Sequence, residues 1–117
     1  MPTVTELRIN KDDKTLAVSF DTNESFVIPA ELLRVESPSA EVQGHSPDQK
    51  KIVPGRRHVA IIGAEPVGNY GVKLVFDDLH DSGIFTWSFL HSLGSNMNEV
   101  WDQYLMSLDA AGLSRDP

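Results

Sequence analysis

The sequence predicts an α+β domain: an antiparallel β-sheet made of a meander plus a hairpin, with C-terminal helices packed on one face. Three observations lead there. Apolar and polar residues alternate through Leu7 and Ile9, then Leu16, Val18 and Phe20, then Phe26 and Ile28, the two-residue period of half-buried strands. A second alternating run, Tyr70, Val72, Leu74 and Phe76, is followed by an acidic loop and a return at Ile84 and Phe85. Last, Met97, Val100, Trp101, Tyr104, Leu105 and Leu108 recur at steps of three and four, the apolar stripe of an amphipathic helix.

Each element has a local reason. Asn10-Lys11-Asp12-Asp13 and Asp21-Thr22-Asn23 separate the first three runs and suit tight turns, so the opening reads as a meander. Pro29 followed by Ala30-Glu31-Leu32-Leu33-Arg34 allows one helical turn, since proline suits a first helical position. Periodicity then vanishes over residues 35–54, where three prolines, three serines and a glycine predict a long surface loop. Val59-Ala60-Ile61-Ile62 suits a short buried strand, and Gly68-Asn69 a turn of unusual backbone angles before Tyr70. A helix is expected over Trp87 to Leu93 with Gly94 as its C-terminal cap. Asn96 and Glu99 resemble a capping box for the last helix. The expected core joins Leu16, Val18, Phe20, Phe26, Ile28, Val72, Leu74 and Phe76 to Trp87, Leu90, Val100, Trp101, Tyr104 and Leu105. Residues 1–111 are expected to form one domain, and 112–117 a frayed tail.

Composition narrows the function classes. A chain of 117 residues supports one core. No apolar run approaches the roughly 20 residues needed to cross a bilayer, and no secretory leader is recognisable, so a cytoplasmic protein with no membrane partner is expected. Without cysteine there is no disulfide, thiolate nucleophile or thiolate metal site. A formal charge of −7 argues against nucleic acid as a partner. The one basic cluster, Lys50, Lys51, Arg56, Arg57 and His58, is short, is broken by Pro54-Gly55, and reads as a solvated strand entry. No serine sits in a Gly-x-Ser-x-Gly elbow, and Gly63 to Gly68 lacks the spacing of a phosphate-cradling loop. Glu41 and His45 could pair as acid and base only on a helix, which Gly44 and the nearby prolines oppose. No enzyme is expected.

Two separated stretches carry a family resemblance. Leu33-Arg34-Val35-Glu36-Ser37-Pro38-Ser39-Ala40-Glu41-Val42-Gln43-Gly44-His45 and the segment from Val67 to Trp87 resemble the bacterial proteins of unknown function related to the N-terminal domain of gamma-butyrobetaine hydroxylase. The similarity runs from about Thr5 to Leu93. In the hydroxylases this small α+β domain precedes a catalytic jelly-roll and holds a structural zinc through three cysteines and a histidine. Related domains are fused to P-loop ATPases of iron–sulfur cluster assembly. The resemblance places the cysteine positions at Ser37, Ser39 and Val42 and the histidine at His80, and Leu79 stands where many relatives carry glycine. One histidine does not make a tetrahedral zinc site, so zinc binding and any other cofactor are not expected. The jelly-roll has no room in this chain, and oxygenase activity is not carried over.

Two functions are weighed. The first is a non-catalytic interaction module whose protein partner is an iron–sulfur assembly factor or an oxygenase-type enzyme, with Arg34, Ser37, Ser39, Glu41, His45, Asn69, Tyr70 and His80 as the exposed contact surface. The second is a small-molecule or metal-binding protein using His45, Asp78 and His80, which requires the two histidines to share one ligand. The bland alternative for Asp77 to Asp81 is a solvated acidic turn.

Overall fold

The alternating runs become strands in the computed structural model, which describes residues 2–117. β1 (Val4–Asn10), β2 (Thr15–Phe20) and β3 (Ser25–Pro29) form an antiparallel meander in that order. Its inward face carries Leu16, Val18, Phe20 and Ile28. The predicted turns close as expected: the Asp13 N–H donates to Asn10 Oδ1 at 3.0 Å, and Asn23 adopts a positive φ of 69°. β4 (Ile61–Val67), β5 (Gly71–Phe76) and β6 (Ile84–Thr86) form a second antiparallel sheet, with β5 central. The strands of the described residues thus divide between two three-stranded sheets, and the α+β class holds.

Among the described residues four α-helices complete the fold: α1 (Ala30–Val35), α2 (Ala40–Gln43), α3 (Trp87–Ser95) and α4 (Met97–Ala110). α1 is buried at all six positions. Leu32, Leu33 and Val35 join the inward residues of both sheets and Leu90, Leu93, Tyr104 and Leu108 in one apolar cluster. Because α1 is enclosed, its charged residues need partners inside the protein. Arg34 finds Asp78 at 2.8 Å, and Glu31 finds Arg115 at 2.7 Å.

Several expectations change. Gly94 lies inside α3 rather than capping it, because the helix packs so closely that a Cβ there would meet the Phe26 ring at 2.5 Å. Asn96 makes no capping bond to α4; its side-chain amide donates back to the Ser92 carbonyl at 2.9 Å. Leu105 is exposed, while Phe26, Trp87, Val100 and Trp101 are half-buried at the margin of the core. Tyr70 precedes β5 in a turn and points outward. The 35–54 stretch is not structureless: it holds α2 and a 3₁₀ turn at Pro47–Gln49. Residues 112–117 lie against the body, with the Gly55 N–H donating to the Ser114 carbonyl at 2.9 Å and Arg57 pairing with Asp116 at 2.6 Å.

Candidate functional site

Three segments converge on His80: the end of α1, the start of α2, and the acidic loop between β5 and β6. Leu79 takes a positive φ of 73°, which turns the chain so that the Phe76 N–H donates to the His80 carbonyl at 3.0 Å. That turn directs the imidazole inward, where the side chain is only 3% exposed. Its Nε2 lies 2.9 Å from Ser37 Oγ and 3.4 Å from Ser39 Oγ, and Nδ1 lies 3.4 Å from Glu41 Oε2. A carboxylate only accepts, so Nδ1 carries the ring proton and Nε2 accepts from the Ser37 hydroxyl. Burial, reinforced by the nearby Arg34 charge, outweighs Glu41 and Asp78 and lowers the His80 pKa below the usual imidazole range. The ring is therefore neutral at pH 7.

The surrounding shell is ionic. Asp78 Oδ2 accepts from Arg34 Nε at 2.8 Å and Arg56 Nε at 2.7 Å, and Oδ1 accepts from the His80 backbone N–H at 3.2 Å. Burial raises the Asp78 pKa, but these hydrogen bonds and charges outweigh it and hold the carboxyl below its ordinary range. Arg34 Nη1 is buried without a hydrogen-bond partner among the described residues. Ser82 Oγ donates to Glu41 Oε1 at 3.0 Å, and Gln43 Nε2 donates to the Ser37 carbonyl at 2.9 Å. The loop that carries the serines is thus tied down on both sides.

This geometry divides the predicted contact surface. Arg34, Ser37, Ser39 and His80 are buried rather than exposed, because each is a partner in the network that closes the loop against the hairpin. Glu41, His45, Asn69 and Tyr70 are on the surface. Glu41 faces His80 rather than His45, since Gly44 (φ 68°) ends α2 before the chain reaches His45. The backbone N–H of His45 donates to Gln49 Oε1 at 2.9 Å, and its ring is not among the partners of His80. Asp78 is committed to two arginines. Among the described residues no group of three or more His, Cys, Asp or Glu side chains could hold a metal ion.

Ser37, His80 and Glu41 stand in the order of a hydrolase triad, but inside out. Ser37, which would be the nucleophile, has 0% exposure, while Glu41 lies on the surface. No acyl group can reach that hydroxyl in this conformation. The zinc positions implied by the resemblance likewise offer one ring nitrogen, two neutral hydroxyls and, at Val42, no donor at all. Tetrahedral zinc requires four nitrogen, sulfur or carboxylate ligands, and these residues do not fit it.

Away from this cluster, Asn69 and Tyr70 border an open depression of about 510 Å³ lined also by Thr3, Thr86, Trp87 and Ser88. Trp87 is anchored there: its indole N–H donates to the Asn69 carbonyl at 2.9 Å, and its backbone N–H to the Tyr70 carbonyl at 2.9 Å. Tyr70 is 52% exposed. Sequence reasoning took Trp87 as core and missed its place beside Tyr70. It also missed Arg56 as the second partner of Asp78.

The model of the family described as gamma-butyrobetaine hydroxylase-like, N-terminal, matches residues 7–91. No curated protein matches the chain. Among solved structures, two solution NMR structures of proteins are similar, at 45% identity with a TM-score of 0.86 and 46% identity with a TM-score of 0.87. Both cover 100% of this chain, and 92% and 87% of their own. A crystal structure of a protein of unknown function from Acidithiobacillus ferrooxidans, of the DUF971 family, is 34% identical over 79% of this chain and 92% of its own, with a TM-score of 0.67. The chain therefore belongs to the gamma-butyrobetaine hydroxylase-like N-terminal domain family.

Proposed function

We propose that this domain is a non-catalytic interaction module that docks a protein partner through the face bearing Asn69, Tyr70 and Trp87. One observation carries the reading. The half-open aromatic depression presents Tyr70 and Trp87 in an already ordered arrangement, and rigid aromatics of this kind dominate protein contacts because little side-chain freedom is lost on binding. The polar cluster at His80 supports the same reading from the other side: its hydroxyls and imidazole are used up in internal bonds. The partner class follows from the family resemblance: an iron–sulfur assembly factor or an oxygenase-type enzyme, met in the cytoplasm. An acidic partner surface is disfavoured by the chain's charge of −7.

The reading is tested by affinity capture with the chain and its Tyr70→Ala variant, followed by binding measurements with the purified partner. A partner that binds the parent chain and loses tenfold or more in affinity with Tyr70→Ala supports it. Equal binding by both, or no stable partner, counts against it. The small-molecule or metal reading through His45, Asp78 and His80 has no comparable support, since Asp78 and His80 are each already engaged by internal partners.

A further inference from the structure

We infer that Ser37, Ser39 and His80 form a metal-independent clasp, in which direct hydrogen bonds join the loop after α1 to the β5–β6 hairpin at the place where the hydroxylase domain is joined by zinc. The residues come from chain positions 43 and 41 apart, so the clasp is a long-range cross-link. Zinc would have to lie between its ligands, yet Ser37 Oγ and His80 Nε2 are already at a direct hydrogen-bond distance of 2.9 Å. The remaining anionic group, Glu41, sits on the Nδ1 side of the ring, so it cannot join a metal at Nε2. Val42 is buried and apolar. Asp78, the other nearby carboxylate, is held by Arg34 and Arg56.

The substitution is chemically coherent. Thiolates facing each other in a buried site need a cation, since their charges repel and are poorly solvated. Neutral hydroxyls beside a neutral imidazole need none, and satisfy one another. A Cβ added at Gly83 would meet the Ser37 hydroxyl, so the hairpin closes on this loop only because position 83 carries no side chain. A domain joined this way should be indifferent to chelators and to the thiol oxidation that opens cysteine-zinc sites.

The test uses the whole chain, produced with zinc in the medium. Metal content is measured by mass spectrometry, melting is followed with and without EDTA, and the His80 ring nitrogens are observed by NMR as zinc is added. The inference expects far less than one zinc per chain, the same Tm in EDTA, and an Nδ1–H tautomer whose Nε2 signal does not respond to zinc. The Ser37→Ala variant should melt about 4 °C lower, the shift that loss of one buried hydrogen bond, about 1 kcal/mol, produces in a domain of this size. Stoichiometric zinc with a shifted Nε2 signal, a Tm lowered by EDTA, or an unchanged Tm in Ser37→Ala each overturns it. Should Ser37→Ala fail to fold, the metal content and ring signals of the parent chain decide.

Discussion

Arg115 grips Glu31 with both arms of its guanidinium: Nε and Nη2 donate to the two carboxylate oxygens at 2.8 and 2.7 Å, between residues 84 positions apart. Glu31 is buried in α1, and Arg115 lies over the Trp101 ring at 4.9 Å. The C-terminal segment thereby closes over the central helix. Arg115→Ala leaves a buried carboxylate unpaired and is expected to cost about 2 kcal/mol in urea unfolding. That is less than the roughly 3–5 kcal/mol for a fully buried pair, because the arginine side chain keeps 28% exposure. A loss below about 0.5 kcal/mol, the range of an exposed pair, would show that the tail does not hold the helix.

Trp101 illustrates how burial changes a magnitude. A fully buried tryptophan replaced by alanine costs about 3–5 kcal/mol, but Trp101 is half-buried, packed against Tyr104 with ring centres 5.5 Å apart and covered by Arg115. Trp101→Ala should therefore cost about 2–3 kcal/mol, and combining it with Arg115→Ala should cost less than the sum, since the two side chains touch. Denaturant midpoints of the two single variants and the double variant check both statements.

Leu79 is a leucine with a glycine's backbone. Its φ of 73° and 86% exposure mean that the side chain contributes strain and little packing. Leu79→Gly is expected to stabilise the domain by about 0.5–1 kcal/mol, part of the left-handed penalty being offset by the greater freedom of the unfolded chain. Leu79→Ala keeps the penalty and should be nearly neutral. A destabilised glycine variant in thermal melts would count against the strained turn.

Gly94→Ala should run opposite to helix propensity. Alanine ordinarily gains about 1 kcal/mol over glycine inside a helix, yet here the added methyl group would strike the Phe26 ring. A lowered Tm is expected, with part of the loss recovered when Phe26 is also shortened to leucine. A raised Tm in the single variant would mean that α3 packs less closely on β3.

Tyr104 sets an alkaline limit. Its hydroxyl donates to the Val53 carbonyl at 2.6 Å, and burial, aided by the Glu31 carboxylate, pushes its pKa up to about 12. The unfolded chain releases this proton near pH 10, so the contribution of Tyr104 to stability is full below pH 10 and is lost as pH rises towards 12. Unfolding followed from pH 9 to 11.5 should show a decline that is flattened in Tyr104→Phe.

The sequence by itself determined the elements whose signals are local. The alternation at Leu16, Val18 and Phe20 became β2, the Pro29 turn became the entry to α1, and the spacing from Met97 to Leu108 became α4, because side-chain period and turn chemistry act between neighbours. The family was legible too, from two motifs in order. Only the tertiary structure decided what the polar residues of those motifs do. Ser37 and His80 read as surface residues because hydroxyls and imidazoles are normally solvated, yet each is buried by a partner some forty positions away. The same holds for Arg34, buried against Asp78. Whether a polar side chain is exposed or internal depends on who satisfies it, and a chain written in one dimension does not place partners that only folding brings together.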